Sequence, residues 1–351
     1  MSHDRHLGAR PRREPPSARG TAGVLLLALT VLGCSSPAMS TIITVPDASP
    51  RETPSVPAPT STPAPVLTPD PAAELPPIRE VPFEEAIVAE PDADWVALAA
   101  GVVWVAGVGD GIGRFDPDTG EARGAIRLPG TVICLAMDTG FGALWAGDCN
   151  NRELLRVDAR TGELTARIPL PAGLVEEGSV AVGDDGVWLL QRTGPMTLVG
   201  IDPSSNSVAS SIPAPTGAAA VRSGFGSLWV TDPAQGAVHR ISPTSGQVLA
   251  SIEVGRGPRF LAVGEGAIWT LDAWSGTVTR VDPGSDSAVA TILVSEIPVD
   301  GGDIAVGGGA VWARVSDSLV ARIDPATNSV TQRIGRPAGS GSVAADNAAP
   351  E

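Results

Sequence analysis

Between Arg259 and Ile292 four short apolar runs follow one another, FLAVG, AIWTL, TVTRV and AVATI, each rich in β-branched or aromatic residues and bounded by glycine, proline, aspartate or serine. Runs of that length with that punctuation predict strands. None is long enough to carry the 3.6-residue period of an amphipathic helix. The third and fourth runs are joined by an Asp-Pro-x-Ser/Thr-Gly/Asn phrase, in which proline presets φ for the second position of a type I turn. The closing glycine or asparagine tolerates the left-handed backbone that a hairpin of four or five residues needs, so a β-branched residue is never found there.

The whole pattern recurs. GVVW, GALW, DGVW, GSLW, GAIW and GAVW place tryptophans at Trp104, Trp145, Trp188, Trp229, Trp269 and Trp312, spaced by 40 to 43 residues. Each is followed by the turn phrase: RFDPDTG to Gly120, RVDARTG to Gly162, GIDPSSN to Asn206, RISPTSG to Gly246, RVDPGSD to Asp286 and RIDPATN to Asn328. Four strands in a period of about 40 to 45 residues is the signature of a β-propeller. The expected fold is therefore all-β, a propeller of six four-stranded blades. Seven is the alternative, because EEAIVAE near Glu84 reads as a fourth strand and SGSVAAD near Ser340 as a first. The recurring tryptophan is read as the large wedge between neighbouring blades. Trp274 breaks the pattern, falling in the loop after a second strand.

Over roughly residues 94 to 334 the copies resemble bacterial lipoprotein propellers with YVTN-type repeats and, more loosely, the streptogramin (virginiamycin B) lyase group. The runs that carry the resemblance are VARIDPATNSV from Val320 to Val330, ASIEVGRGPRFLAVG from Ala250 to Gly264 and IGRFDPDTG from Ile112 to Gly120. It implies the propeller architecture. Those lyases use loop histidines and a glutamate with magnesium, and no propeller loop here contains a histidine, so the activity is not carried over.

The first 33 residues hold Arg5, Arg10, Arg12, Arg13 and Arg19, then the apolar run AGVLLLALTVLG, then Cys34. A basic region, a hydrophobic region of about 12 residues and a cleavage site make a secretory leader. VLGC, Val31 to Cys34, resembles a bacterial lipobox, which implies cleavage after Gly33 and acylation of Cys34. Two or three acyl chains anchor a protein stably where one does not. Residues 34 to 82 carry 13 prolines among serine, threonine and alanine, a composition that favours extended polyproline II over a packed core. The propeller is assigned to 83–346 and a tail to 347–351. Losing the leader takes away five arginines and two acids, moving the net charge from −15 to −18. Such a chain is a poor partner for nucleic acid, and the membrane is expected to be met through the lipid on Cys34 alone.

Two cysteines remain, Cys134 on a first strand and Cys149 just past the second strand of the same blade. A hairpin centred near Gly140 sets Cys134 opposite residue 147, one diagonal step from Cys149. Outside the cytoplasm a disulfide is expected. His239, in the strand AVHRI, is the one histidine outside the leader, too few for a His/Cys zinc site or a loop-based triad. No catalytic residue, metal ligand or cofactor is assigned.

What is left is a surface. The loops between second and third strands, and those between blades, gather at one face of a propeller. There Asp148, Asp232 and Asp272 each stand three residues after a repeat tryptophan, where an aspartate either caps its own turn or meets a ligand. Trp274 beside Asp272, with Arg256 and Arg259 one loop away, is the best candidate recognition patch. The sequence thus points to a lipid-anchored extracytoplasmic propeller that binds or scaffolds an envelope protein, peptide or glycan. The alternative is a lyase or hydrolase using carboxylates and arginines of that face.

Overall fold

Each apolar run becomes a strand because the turns between runs have a backbone the sequence permits. The computed structural model describes residues 68–69, 74–80, 93–107, 111–192, 194–299, 302–316, 319–335 and 345. Cys34, the leader, EEAIVAE and the tail 347–351 lie outside the described residues, as does SGSVAAD except for Ala345.

The described residues form six antiparallel sheets in up-and-down order, spanning 93–127, 138–169, 180–213, 221–253, 258–293 and 303–335. These are the six blades. In the fifth, Pro258–Gly264, Ala267–Asp272, Thr277–Asp282 and Ser287–Leu293 are the four runs of the sequence reading, paired in that order. The turn closing the third and fourth strands uses the left-handed residue as expected: φ is 51° at Asn206, 50° at Asp286 and 53° at Asn328. The leading aspartate also holds that turn. Asp116 Oδ1 accepts from the amides of Asp118 and Thr119, each at 2.9 Å.

The tryptophans are the wedges. Trp104, Trp145, Trp229 and Trp269 are fully buried. Every buried apolar cluster among the described residues straddles two successive blades: Trp104 packs with Leu144 and Leu155, Trp145 with Val180 and Leu189, Trp229 with Leu261 and Ile268, Trp269 with Ile304 and Val311. Except at Trp188, the repeat indole N–H is satisfied inside its own blade, donating to the carbonyl five residues earlier, as from Trp229 to Gly224 at 3.0 Å and from Trp269 to Gly264 at 3.1 Å.

An arginine on the adjacent strand, directly opposite the tryptophan, locks four of the wedges, those of Trp104, Trp145, Trp229 and Trp269, to the next blade. Arg156, Arg240 and Arg280 lie over the rings of Trp145, Trp229 and Trp269 at 5.0, 5.4 and 5.1 Å. Their Nη1 groups then reach the following blade's turn, where Arg280 donates to Pro325 O at 2.6 Å and to Asn328 Oδ1 at 2.9 Å. Arg156 does the same to Pro203 and Asn206, and Arg240 to Pro283 and Asp286. The third blade departs from this: Gly200 replaces the arginine, and a Cβ there would stand 2.9 Å from the Trp188 ring.

A segment read from sequence as linker joins the sixth blade. Ile78–Glu80 adds to the sixth blade, parallel to its last strand, with Ile78 opposite Arg333 and Glu80 opposite Gly335. It covers a sheet edge that would otherwise leave its backbone groups unpaired. The first strands of all six blades line a central cavity of about 260 Å³, whose lining includes Asp138, Arg222, Asp303 and, beyond the sixth blade, Ala345.

Candidate functional site

Second strands end, and first strands begin, on one face of the disc, and the residues singled out from sequence collect there. Two of the three aspartates are turn caps. Asp148 Oδ1 accepts from the amides of Asn150 at 3.1 Å, Asn151 at 3.3 Å and Val132 at 3.2 Å, and Oδ2 from Asn151 Nδ2 at 2.6 Å. Asp232 Oδ1 accepts from the amides of Ala234 and Gln235, both at 3.1 Å, and Oδ2 from Gln235 Nε2 at 2.8 Å. Both side chains are buried. A carboxylate so enclosed fixes its loop and offers no free oxygen to solvent.

Asp272 is built differently. Its Oδ1 faces the hydroxyl of Thr270 at 2.8 Å, and its Oδ2 those of Thr277 at 3.1 Å and Thr279 at 2.6 Å. Burial pushes its carboxyl up to about 7, against the pull of those hydroxyls. The three threonines meet because positions two apart share a face of a strand and registered neighbours share it across strands. Gly255 of the preceding loop sits against this carboxyl group, so that a Cβ there would come within 2.4 Å of Oδ2.

That close approach lets the two loops of the fifth blade join. Ala273 N–H donates to Gly257 O at 3.0 Å, Trp274 N–H to Arg256 O at 3.0 Å, and Arg256 N–H to Ser275 Oγ at 3.1 Å. The Trp274 indole packs on Gly257, whose φ of 68° and missing Cβ make the room. One face of the ring is thus fixed on backbone while the residue stays 54% exposed, in contrast to the buried repeat tryptophans. Arg256 is exposed beside it.

Arg259 lies deeper, at the start of the fifth blade's first strand. Its guanidinium is over the Phe260 ring at 5.5 Å and pairs with Glu177, which belongs to the loop entering the third blade. The ion pair therefore reaches past the intervening fourth blade, a pairing between positions 82 residues apart that no local pattern signals. Trp274, Arg256 and Arg259 share the fifth blade, whereas Asp148 and Asp232 cap loops of the second and fourth.

Cys134 and Cys149 form a disulfide, with Cα atoms 6.0 Å apart. Cys134 does face Gly147, donating its amide to that carbonyl at 3.3 Å. It precedes the named first strand, Asp138–Gly140, because Ala136 turns aside to bridge Ser179 of the third blade. Cys134 O accepts from Glu177 N–H at 2.9 Å, so the disulfide steadies the loop that carries the Arg259 partner.

His239 is buried in its strand, with Nδ1 2.9 Å from Ser251 Oγ and Nε2 3.9 Å from Asp232. Burial depresses its basicity more than Asp232 restores it, leaving a neutral ring at pH 7. Asp303, on the sixth blade's first strand, is also buried and accepts from the amide of Ile304. Among the described residues no three His, Cys, Asp or Glu side chains stand close enough to hold a metal ion.

Solved structures share this fold. A streptogramin B lyase superposes with a TM-score of 0.58 at 17% identity, covering 70% of this chain and 84% of that one. Virginiamycin B lyase from Staphylococcus aureus gives 0.58 at 15% identity, covering 72% and 89%. The WD40 repeats of RRP9 give 0.60 at 12% identity, covering 74% and 86%. At such identities the likeness is one of fold. No protein-family model matches the sequence, and no curated protein matches it.

Proposed function

We propose that this protein is a lipid-anchored extracytoplasmic binding module, tethered through Cys34 and the proline-rich segment and presenting its propeller to an envelope protein, peptide or glycan. The observation that carries the reading is Trp274: an indole held on one face by Gly257 and left 54% exposed on the other, at the loop face of a rigid disc. A large apolar side chain in that state forfeits burial within its own fold, and its gain comes from a partner. The ligand meets Trp274, Arg256 and the Arg259–Glu177 pair. In this reading Asp148, Asp232 and Asp272 set the loops from within.

A lyase or hydrolase using those three aspartates would need them open to substrate, and they are closed to solvent, while the exposed Glu177 of the same face is engaged by Arg259. One of the similar lyases has been solved with quinupristin in a catalytically inactive histidine-to-alanine form. The one histidine among the described residues here is buried on the flank of a strand. Binding is the reading that these side chains support.

Affinity capture from envelope extract tests it, comparing the full-length protein with a variant carrying Trp274→Ala and Arg259→Ala. The variant is expected to lose the partners that the wild type recovers. Equal recovery by both proteins refutes the patch. Processing that leaves Cys34 unmodified, with the leader retained, refutes the anchor.

A further inference from the structure

On the opposite face of the disc, where first strands turn into second strands, three successive hairpins surround an open groove of about 540 Å³. Phe141 of the second blade lines it, Phe225 of the fourth stands at its rim between the lining residues Gly224 and Gly226, and its charged lining residues are Asp184 and Asp185, from the third blade between them. Both phenylalanines are exposed, at 43% and 46%. Both also hold left-handed backbone, φ 54° and 51°, at the position where other hairpins place Ala100, Glu265 or Gly308. A bulky side chain in that conformation is strained, and here little burial offsets the strain. The chain has five phenylalanines, and two of them stand at these tips.

The groove's chemistry specifies a cation. No basic residue lines it. Two arginines that touch its walls are stacked on tryptophans and engaged with protein oxygens, Arg156 Nη2 on Phe141 O at 3.3 Å and Arg240 Nε on Ser227 Oγ at 2.9 Å, and Arg222, next to the lining Ser223, is held on Val180 O and Val221 O. Aromatic faces attract cations, and a planar guanidinium can stack on a ring while its edge pairs with carboxylates. The molecule already uses that arrangement at its seams, with arginines 5.0 to 5.6 Å from tryptophan centroids and their edges on oxygen acceptors. Because the groove crosses three hairpins, it admits a side chain from a polypeptide lying across the face.

We propose that this groove docks an arginine side chain of a basic peptide segment in a partner protein, the guanidinium stacked on Phe141 or Phe225 and paired with Asp184 and Asp185. The site is separate from the Trp274 patch and does not depend on it.

The test is fluorescence anisotropy of a short fluorescein-labelled peptide, with arginines alternating with glycine, titrated with the full-length protein. A peptide carrying citrulline in place of arginine is the control. The arginine peptide binds and the citrulline peptide does not. Phe141→Asn with Phe225→Asn, and separately Asp184→Asn with Asp185→Asn, each raise Kd by about tenfold or more, while Trp274→Ala leaves it unchanged. Asparagine suits left-handed backbone, so the phenylalanine variant keeps or raises Tm; a purely structural role for these rings predicts a lower Tm. The proposal is overturned if the wild type fails to bind the arginine peptide, if citrulline binds equally, or if folded variants retain full affinity. Tight binding of tetramethylammonium by a protein that ignores the peptide overturns the peptide assignment.

Discussion

Removing the Arg280 side chain should loosen one seam of the ring by an amount the geometry sets. The guanidinium lies 5.1 Å from the Trp269 centroid and its Nη1 bridges Pro325 O at 2.6 Å and Asn328 Oδ1 at 2.9 Å, in a half-buried position. A partly desolvated cation–π contact contributes about 1 kcal/mol. The charge-assisted hydrogen bonds share one donor nitrogen and are partly screened, so together they contribute about 2 kcal/mol. Arg280→Ala should therefore cost about 3 kcal/mol, which for a domain of this size lowers Tm by ~6 to 12 °C. Arg322 is the internal control, since it also stacks on its tryptophan, at 5.6 Å, but its Nη1 stays within the blade on Thr331. Arg322→Ala should cost about 1 kcal/mol. In urea denaturation followed by tryptophan fluorescence, Arg280→Ala and Asn328→Gly should couple by about 1 kcal/mol in a double-mutant cycle, glycine keeping the φ of 53° while removing the acceptor. Equal losses for the two arginines, or coupling within ~0.3 kcal/mol of zero, would refute the inter-blade lock.

Three further outcomes follow from the disulfide and from two carboxylates. Replacing Cys134 and Cys149 by serine opens a loop of 15 residues and should cost ~3 kcal/mol by chain entropy, read as a drop in Tm that reductant reproduces in the wild type and not in the variant. Asp272 ionises near 7 in the folded chain against an ordinary value of 3.8. Between those values the folded state keeps a proton that the unfolded chain has released, so stability falls as pH rises across that window and levels off above it. Asp272→Asn should flatten that slope. Asp116 acts in the opposite sense, its carboxyl held down to about 2 by the Thr119 amide first and the Arg123 guanidinium second. Its contribution is present above the ordinary carboxylate range and is lost as pH falls toward 2, which an acid titration of Asp116→Asn should show as a shallower limb.

The blade count, the strand order and the wedge role of the tryptophans were legible because each rests on local chemistry repeated six times. The facing of Cys134 toward Gly147 followed from a hairpin count, although the strand breaks where Ala136 bridges the next blade. The inter-blade lock was written in the sequence in part: where a turn closes with Asn206, Asp286 or Asn328, the preceding blade carries Arg156, Arg240 or Arg280, and where it closes with Gly246, that blade carries Gly200, although Arg114 reaches the backbone of a turn that closes with Gly162. That pairing is visible only once the sheets are known to be adjacent, since its partners lie 46 to 50 residues apart. Ile78–Glu80 escaped notice because three residues behind two prolines carry no strand signal, and their pairing is supplied by the far end of the chain. For the candidate site, the sequence located Trp274 and its arginines. It did not separate the turn-capping Asp148 and Asp232 from the threonine-caged Asp272, a difference made by side chains on neighbouring strands.

Hydroxyl-radical footprinting of the full-length protein, alone and bound to the partner recovered by capture, tests the central claim most directly. Trp274 is the exposed indole on the loop face, so its oxidation rate is high in the free protein and falls in the complex, together with protection across 254–259. An unchanged rate at Trp274 in the complex, with protection confined to the blade flanks or the opposite hairpins, contradicts the assignment of that face as the recognition surface.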